Sequence, residues 1–140
     1  MLVALVSWTM DHLVVVRGDS IRYRLVWVAG GEVHKGDYVN LRVSHPIISA
    51  DGQETLLTKR VDCIAGETLR FDGKQFWCRD ILLGGVIAKT WDGKPLTPFA
   101  WDGPIPDGKV FVMGEHPRSF DSRYFGLVDL QRLTRVWGLL

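Results

Sequence analysis

The chemistry of this chain is concentrated in Ser20, Lys59 and the stretch Ser119-Phe120-Asp121-Ser122-Arg123. A serine hydroxyl attacks a carbonyl poorly until a base takes its proton, and the usual base is histidine. Here His12, His34, His45 and His116 fall into no Ser-His-Asp order, and there is no Gly-x-Ser-x-Gly elbow. A lysine can replace the histidine if its amine is neutral near neutral pH. Its reference pKa of ~10.4 must then fall by several units through desolvation. Lys59 precedes Val61, Cys63 and Ile64 in what reads as a strand, so its stem can lie along apolar packing. Plainer readings stand beside these. Gly18-Asp19-Ser20 is a common turn tripeptide, and Lys59-Arg60 reads equally as a solvated pair. Asp121 and Arg123, two apart on a strand, share a face and can pair, or are surface charges worth under ~1 kcal/mol.

The elements that must position these groups read as strands. Short apolar runs separated by Gly, Asp and Pro recur at Leu13–Val16, Leu25–Val28, Tyr38–Val43, Val61–Ile64, Thr68–Phe71, Gln75–Cys78, Val86–Ala88 and Val110–Met113. Phe71-Asp72-Gly73-Lys74-Gln75 puts Asp-Gly between two β-prone arms, a strong hairpin signal, and that hairpin would set Cys63 and Cys78 on neighbouring strands. Helical spacing occurs only near Val128–Leu133. Residues 79–108, broken by Gly and Pro, read as a loop or β-ribbon excursion, and 44–58 as a second loop.

Composition narrows the classes. A chain of 140 residues with 46% hydrophobic residues suits one domain with a substantial core. Seventeen basic and sixteen acidic residues leave a net charge of +1, so no general field gathers nucleic acid. Two cysteines and four unclustered histidines do not make a metal site. No cofactor is expected. Cys63 and Cys78 can pair as a disulfide, which suits a periplasmic location, or stay as buried thiols. The apolar start Met1–Met10 is interrupted by Asp11 and His12, short of the ~20 residues that cross a bilayer. It is either the remnant of an anchor or a first strand. Six tryptophans, Trp8, Trp27 and Trp137 among them, suit a face at a membrane interface or a β core.

The order and spacing of Gly18-Asp19-Ser20, Lys59-Arg60-Val61 and Ser119–Gly126, with Val110-Phe111-Val112-Met113-Gly114 just ahead of the third, resemble the bacterial signal peptidase I family. The run Ser-Phe-Asp-Ser-Arg-Tyr-Phe-Gly points more narrowly to conjugative-transfer peptidases of TraF type, as does the turn Ile105-Pro106-Asp107-Gly108. The resemblance spans about residues 13 to 138. It has departures: Arg22 stands where proline is expected, Ala65 replaces a proline and Glu67 an aspartate.

The resemblance implies a mostly β fold of strongly bent antiparallel sheets, with the site at a sheet edge, in a single catalytic domain over 1–140 whose membrane anchor is absent or trimmed. It implies Ser20 as nucleophile, Lys59 as general base, Ser119 as the hydroxyl that aims the lysine, and Asp121 with Arg123 as a bracing ion pair. The backbone N–H of Ser20 is the expected oxyanion donor. The implied substrate is an extended signal-like or pilin-like peptide with small residues beside the cut, met at a membrane surface on the periplasmic side of a bacterial inner membrane. A catalytically inactive binding or assembly module with the same fold is the alternative.

Overall fold

The structure, a computed structural model, describes residues 11–140. The apolar start and Trp8 lie outside the described residues. Most strand runs form where β-branched and aromatic residues gather, and they are named in chain order. They are β1 (Leu13–Val15), β2 (Leu25–Val28), β3 (Tyr38–Val43), β4 (Thr55–Ile64), β5 (Thr68–Phe71), β6 (Gln75–Cys78), β7 (Ile81–Gly85), β8 (Asp102–Pro104), β9 (Lys109–Met113), β10 (Val128–Asp129) and β11 (Thr134–Gly138). One helical turn, α1 (Ser122–Phe125), follows β9, and a 3₁₀ turn spans Leu130–Arg132.

Seven strands pair antiparallel in the order β1-β2-β11-β3-β4-β9-β10, and four more in the order β7-β6-β5-β8. The fold is mostly β, as expected. Strand β9 reads Lys-Val-Phe-Val-Met with no polar alternation because both of its faces are covered. Val110 and Val112 join Val39, Leu41, Val43, Val61 and Val128 in one core, while Phe111 and Met113 join Cys63, Leu69, Phe76, Cys78 and Ile105 in another.

A β-bulge lets β4 serve both cores. Its register against β9 shifts between Val61 and Cys63, which leaves Asp62 as the extra residue. The side-chain alternation therefore switches. Val61 and Ile64 pack in the first core, and Cys63 turns to the second.

Several expectations are corrected. The first arm of the Asp72-Gly73 hairpin is β5, which pairs with β6, so Cys63 and Cys78 are not on its neighbouring strands. Cys63 lies on β4 of the larger sheet and Cys78 on β6 of the smaller, and their disulfide joins the sheets across a Cα–Cα distance of 5.8 Å. The strand expected at Val86–Ala88 forms earlier, as β7, and the second expected loop gives way to β4 from Thr55. The helical spacing near Val128–Leu133 yields only the 3₁₀ turn. The Asp121–Arg123 segment is no strand. Asp121 is the N-cap of α1, its side chain accepting the Arg123 N–H, so local hydrogen bonding by the aspartate outweighs strand pairing there.

Candidate active site

Ser20 lies in the loop that joins β1 to β2. Gly18 has φ of 86°, a left-handed conformation open to glycine at little cost, which turns the chain ahead of Asp19 and Ser20. Beyond Ser20 the loop is pinned by Ile21, only 4% exposed, in a third small core with Val26 and Val136.

Lys59 projects from the middle of β4. Val39 stands directly across the ladder from it, and Leu57 and Val61 share its face along the strand. These neighbours leave the lysine 2% exposed. Burial of the ammonium is the main reason its pKa falls from 10.5 to about 8, with Arg123 adding to the fall and Asp121 opposing it. Its Nζ is in hydrogen-bond contact with Ser20 Oγ at 2.9 Å. The structure thus brings together two residues 39 positions apart in the chain.

Behind this pair is a second, ionic unit. Asp121 Oδ1 accepts from Arg123 Nε at 2.8 Å and Asp121 Oδ2 from Arg123 Nη2 at 2.7 Å, a two-point pair with both side chains buried. The remaining valences are also used. Asp121 Oδ2 accepts the Gly114 N–H at 2.9 Å, and Arg123 Nη1 donates to the Gly85 carbonyl at 2.8 Å. The pair therefore ties α1 to the end of β9 and to β7 of the smaller sheet. Burial works against the Arg123 charge, but the Asp121 hydrogen bonds and charge outweigh it and raise its pKa.

Ser119 departs from expectation. It is 5% exposed, and its Oγ has no hydrogen-bond partner, so it does not aim Lys59 in this structure. It does pack against the site. A Cβ at Gly114 would collide with the Ser119 side chain and come within 2.9 Å of the Ser20 carbonyl oxygen, so Gly114 is the point where the two serine segments close on β9. His116, Asp62 and Ser122 fall outside the Ser20–Lys59 contact. Ser122 Oγ accepts the Val112 N–H at 2.9 Å, and Asp62 pairs with Arg60, its carboxyl raised above the usual range chiefly by burial.

Sequence reasoning missed Glu115, Tyr38 and Arg60. The Glu115 carboxylate accepts the Arg22 N–H at 2.7 Å, the Tyr38 hydroxyl and Arg60 Nη1 at 3.1 Å. Only the Lys59-Arg60 adjacency hinted at this network, because the other members come from separate segments.

A groove of about 300 Å³ opens beside the serine and lysine, lined by Val14, Val16, Ser20, Leu57 and Lys59 among others. Its two walls are strand edges. β1 is at the margin of its sheet, and β9 pairs with β4 only from Arg60 onward, so Thr55–Thr58 keep one edge unpaired among the described residues. Such edges accept an added strand.

An antiparallel β fold with a serine, a buried lysine and a strand-edged groove suits a peptide hydrolase. Residues 3–136 match the signal peptidase, peptidase S26 family, and the chain belongs to that family of serine hydrolases. Among solved structures, a signal peptidase I from Enterococcus faecalis V583 is similar, at 22% identity and a TM-score of 0.44, over 80% of this chain and 99% of that one. No curated protein sequence matches the chain.

Proposed function

We propose that the protein is a serine endopeptidase in which Ser20 is the nucleophile and Lys59 the general base. The observation that carries this reading is the 2.9 Å contact between Lys59 Nζ and Ser20 Oγ, made by a lysine whose burial brings its pKa to about 8. In its neutral form the amine accepts the hydroxyl proton as Oγ attacks the scissile carbonyl. The resulting ammonium then protonates the departing amine. An acyl-enzyme remains, and Lys59 in turn takes a proton from the water that hydrolyses it. The Ser20 backbone N–H is the proposed oxyanion donor. Asp121 and Arg123 hold the frame without touching substrate.

The substrate is proposed to lie extended between β1 and the unpaired half of β4. The narrow, apolar-walled groove favours small side chains next to the cut. The run Ser119–Gly126 supports a place among the conjugative-transfer peptidases of TraF type, with signal-like or pilin-like substrates. A periplasmic site is supported by the disulfide, which persists in oxidising compartments.

Docking on a membrane surface is supported by one face of the larger sheet. Leu13, Trp27 and Trp137 stand in a row across β1, β2 and β11, Trp27 half-buried and stacked on His12, while Leu13, Trp137, Val15, Leu139 and Leu140 are exposed. No helix among the described residues is long and apolar enough to cross a membrane. Turnover of a peptide with small residues ahead of the cut tests the proposal. Ser20→Ala and Lys59→Ala should each lose nearly the whole rate while keeping the fold, because the two act as a unit.

A further inference from the structure

We infer that Glu115 is a positioning residue that locks the nucleophile loop from behind, and that Arg22, because it is not proline, supplies the N–H the lock requires. The consequence for catalysis rests on the Ser20–Lys59 reading above; the contacts do not. The Glu115 backbone N–H donates to the Ser20 carbonyl, and Glu115 Oε2 accepts the Arg22 N–H at 2.7 Å. One residue thus holds the loop at Ser20 and again two residues later. The two bonds bracket the φ and ψ of Ile21, so the chain leaving Ser20 is held between them.

The lock is anchored to the strand that carries the lysine. Glu115 Oε1 accepts from the Tyr38 hydroxyl and from Arg60 Nη1 at 3.1 Å. Tyr38 and Arg60 face each other in the β3–β4 ladder, and Arg60 adjoins Lys59. The carboxylate therefore joins the loop bearing the nucleophile to the strand bearing the base. Arg60 is itself steadied by Asp62, with Nε to Oδ1 at 2.7 Å. The Ser20–Lys59 separation is then set by backbone anchors as well as by the long lysine side chain, whose four torsions alone would leave it loose.

Glu115 lies apart from the groove that Ser20 and Lys59 line. It borders a separate cavity with Gly18, Ile21, Arg22 and His116. Its influence on the reaction must therefore pass through the loop backbone. This gives Arg22 a physical role. A proline there would carry no N–H and would remove the side-chain half of the lock.

Two readouts on the whole chain test the inference. Glu115→Ala should lower kcat on a small-residue peptide roughly 10- to 100-fold with KM changed less than about threefold, the scale of a nucleophile misplaced by about an ångström. Glu115→Gln keeps one oxygen that can accept the Arg22 N–H but turns an amide NH2 toward Tyr38 and Arg60, so it should recover only part of that loss. Arg22→Pro removes the N–H together with the side chain that donates to the Tyr23 hydroxyl at 2.9 Å, so it is read against Arg22→Ala, which keeps the N–H. The fall in kcat should be much larger in Arg22→Pro than in Arg22→Ala, a contrast that tests the lock even if Glu115→Ala folds poorly. Independently of activity, hydrogen exchange at the Arg22 amide should quicken by about an order of magnitude in Glu115→Ala and slow again in Glu115→Gln. Unchanged turnover in both Glu115→Ala and Arg22→Pro, or an Arg22 amide indifferent to residue 115, overturns the lock. If the amide responds and both variants lose turnover but Lys59→Ala keeps it, the lock holds and the lysine assignment fails instead.

Discussion

The Arg123 guanidinium meets the Asp121 carboxylate at two points, 2.8 Å and 2.7 Å, with 2% and 0% of the two side chains exposed. Removing either partner leaves a buried charge without its counter-ion, a loss of about 3 to 5 kcal/mol for such pairs and well above that of an exposed one. Asp121→Ala and Arg123→Ala should each lower urea stability by that order and reduce turnover. Because they share the ion pair while each also makes bonds of its own, the double variant should lose clearly less than the sum of the two singles. Losses that simply add would remove the pair from any bracing role.

Most of the β frame was legible because its signals are local. Leu25–Val28, Tyr38–Val43, Thr68–Phe71 and Gln75–Cys78 announce themselves by β-branched and aromatic content, and Asp72-Gly73 marks its own turn. The partners of each strand were not. β11 inserts between β2 and β3 from the far end of the chain, and no local pattern records that pairing. The Ser20–Lys59 contact was inferred from resemblance, since nothing between the two residues encodes their approach. Asp121 and Arg123 were recognised as partners but assigned to the wrong element, because a capping aspartate and a strand aspartate look alike in sequence. Glu115 carries no local signal at all, because its partners Arg22, Tyr38 and Arg60 come from separate segments of the chain.

Gly114 has no room for a side chain. Gly114→Ala should cost about 1 to 3 kcal/mol, the range of overpacked sites, and should displace the Ser20 segment enough to reduce turnover. Ser119→Gly in that background removes the colliding side chain and should restore part of the stability. Thermal melting of the parent and the two variants checks this, and a Gly114→Ala protein as stable as the parent would contradict the close approach.

The Cys63–Cys78 bridge links the two sheets with a sequence separation of 15. Replacing both cysteines by serine should lower stability by about 3 kcal/mol on the loop-closure scale. Urea melts with and without a reductant check it. The parent should fall toward the variant when reduced, and a parent insensitive to reductant would show that the bridge adds no stability.

Burying Lys59 destabilises the fold while the amine is charged. Its folded pKa of about 8 is below its unfolded value. Between those two values the unfolded chain binds a proton that the folded chain lacks, so this group's contribution to stability rises with pH. Below about pH 8 the penalty is fully present, about 3 kcal/mol for a shift of this size. Lys59→Met should therefore stabilise the protein most near neutral pH, with the gain shrinking as pH climbs toward about 10. Paired urea melts of parent and variant across that range measure it, and a gain independent of pH would count against a depressed lysine.

If Lys59 takes the Ser20 proton, the pH dependence of kcat/KM must carry the titration of its amine. The rate should rise with pH along a single limb of apparent pKa near 8, as the buried amine loses its proton. That limb should vanish with the activity in Lys59→Ala. A profile already flat from about pH 6, a limb centred near the histidine value of ~6.5, or turnover that survives in Lys59→Ala would contradict that proton transfer.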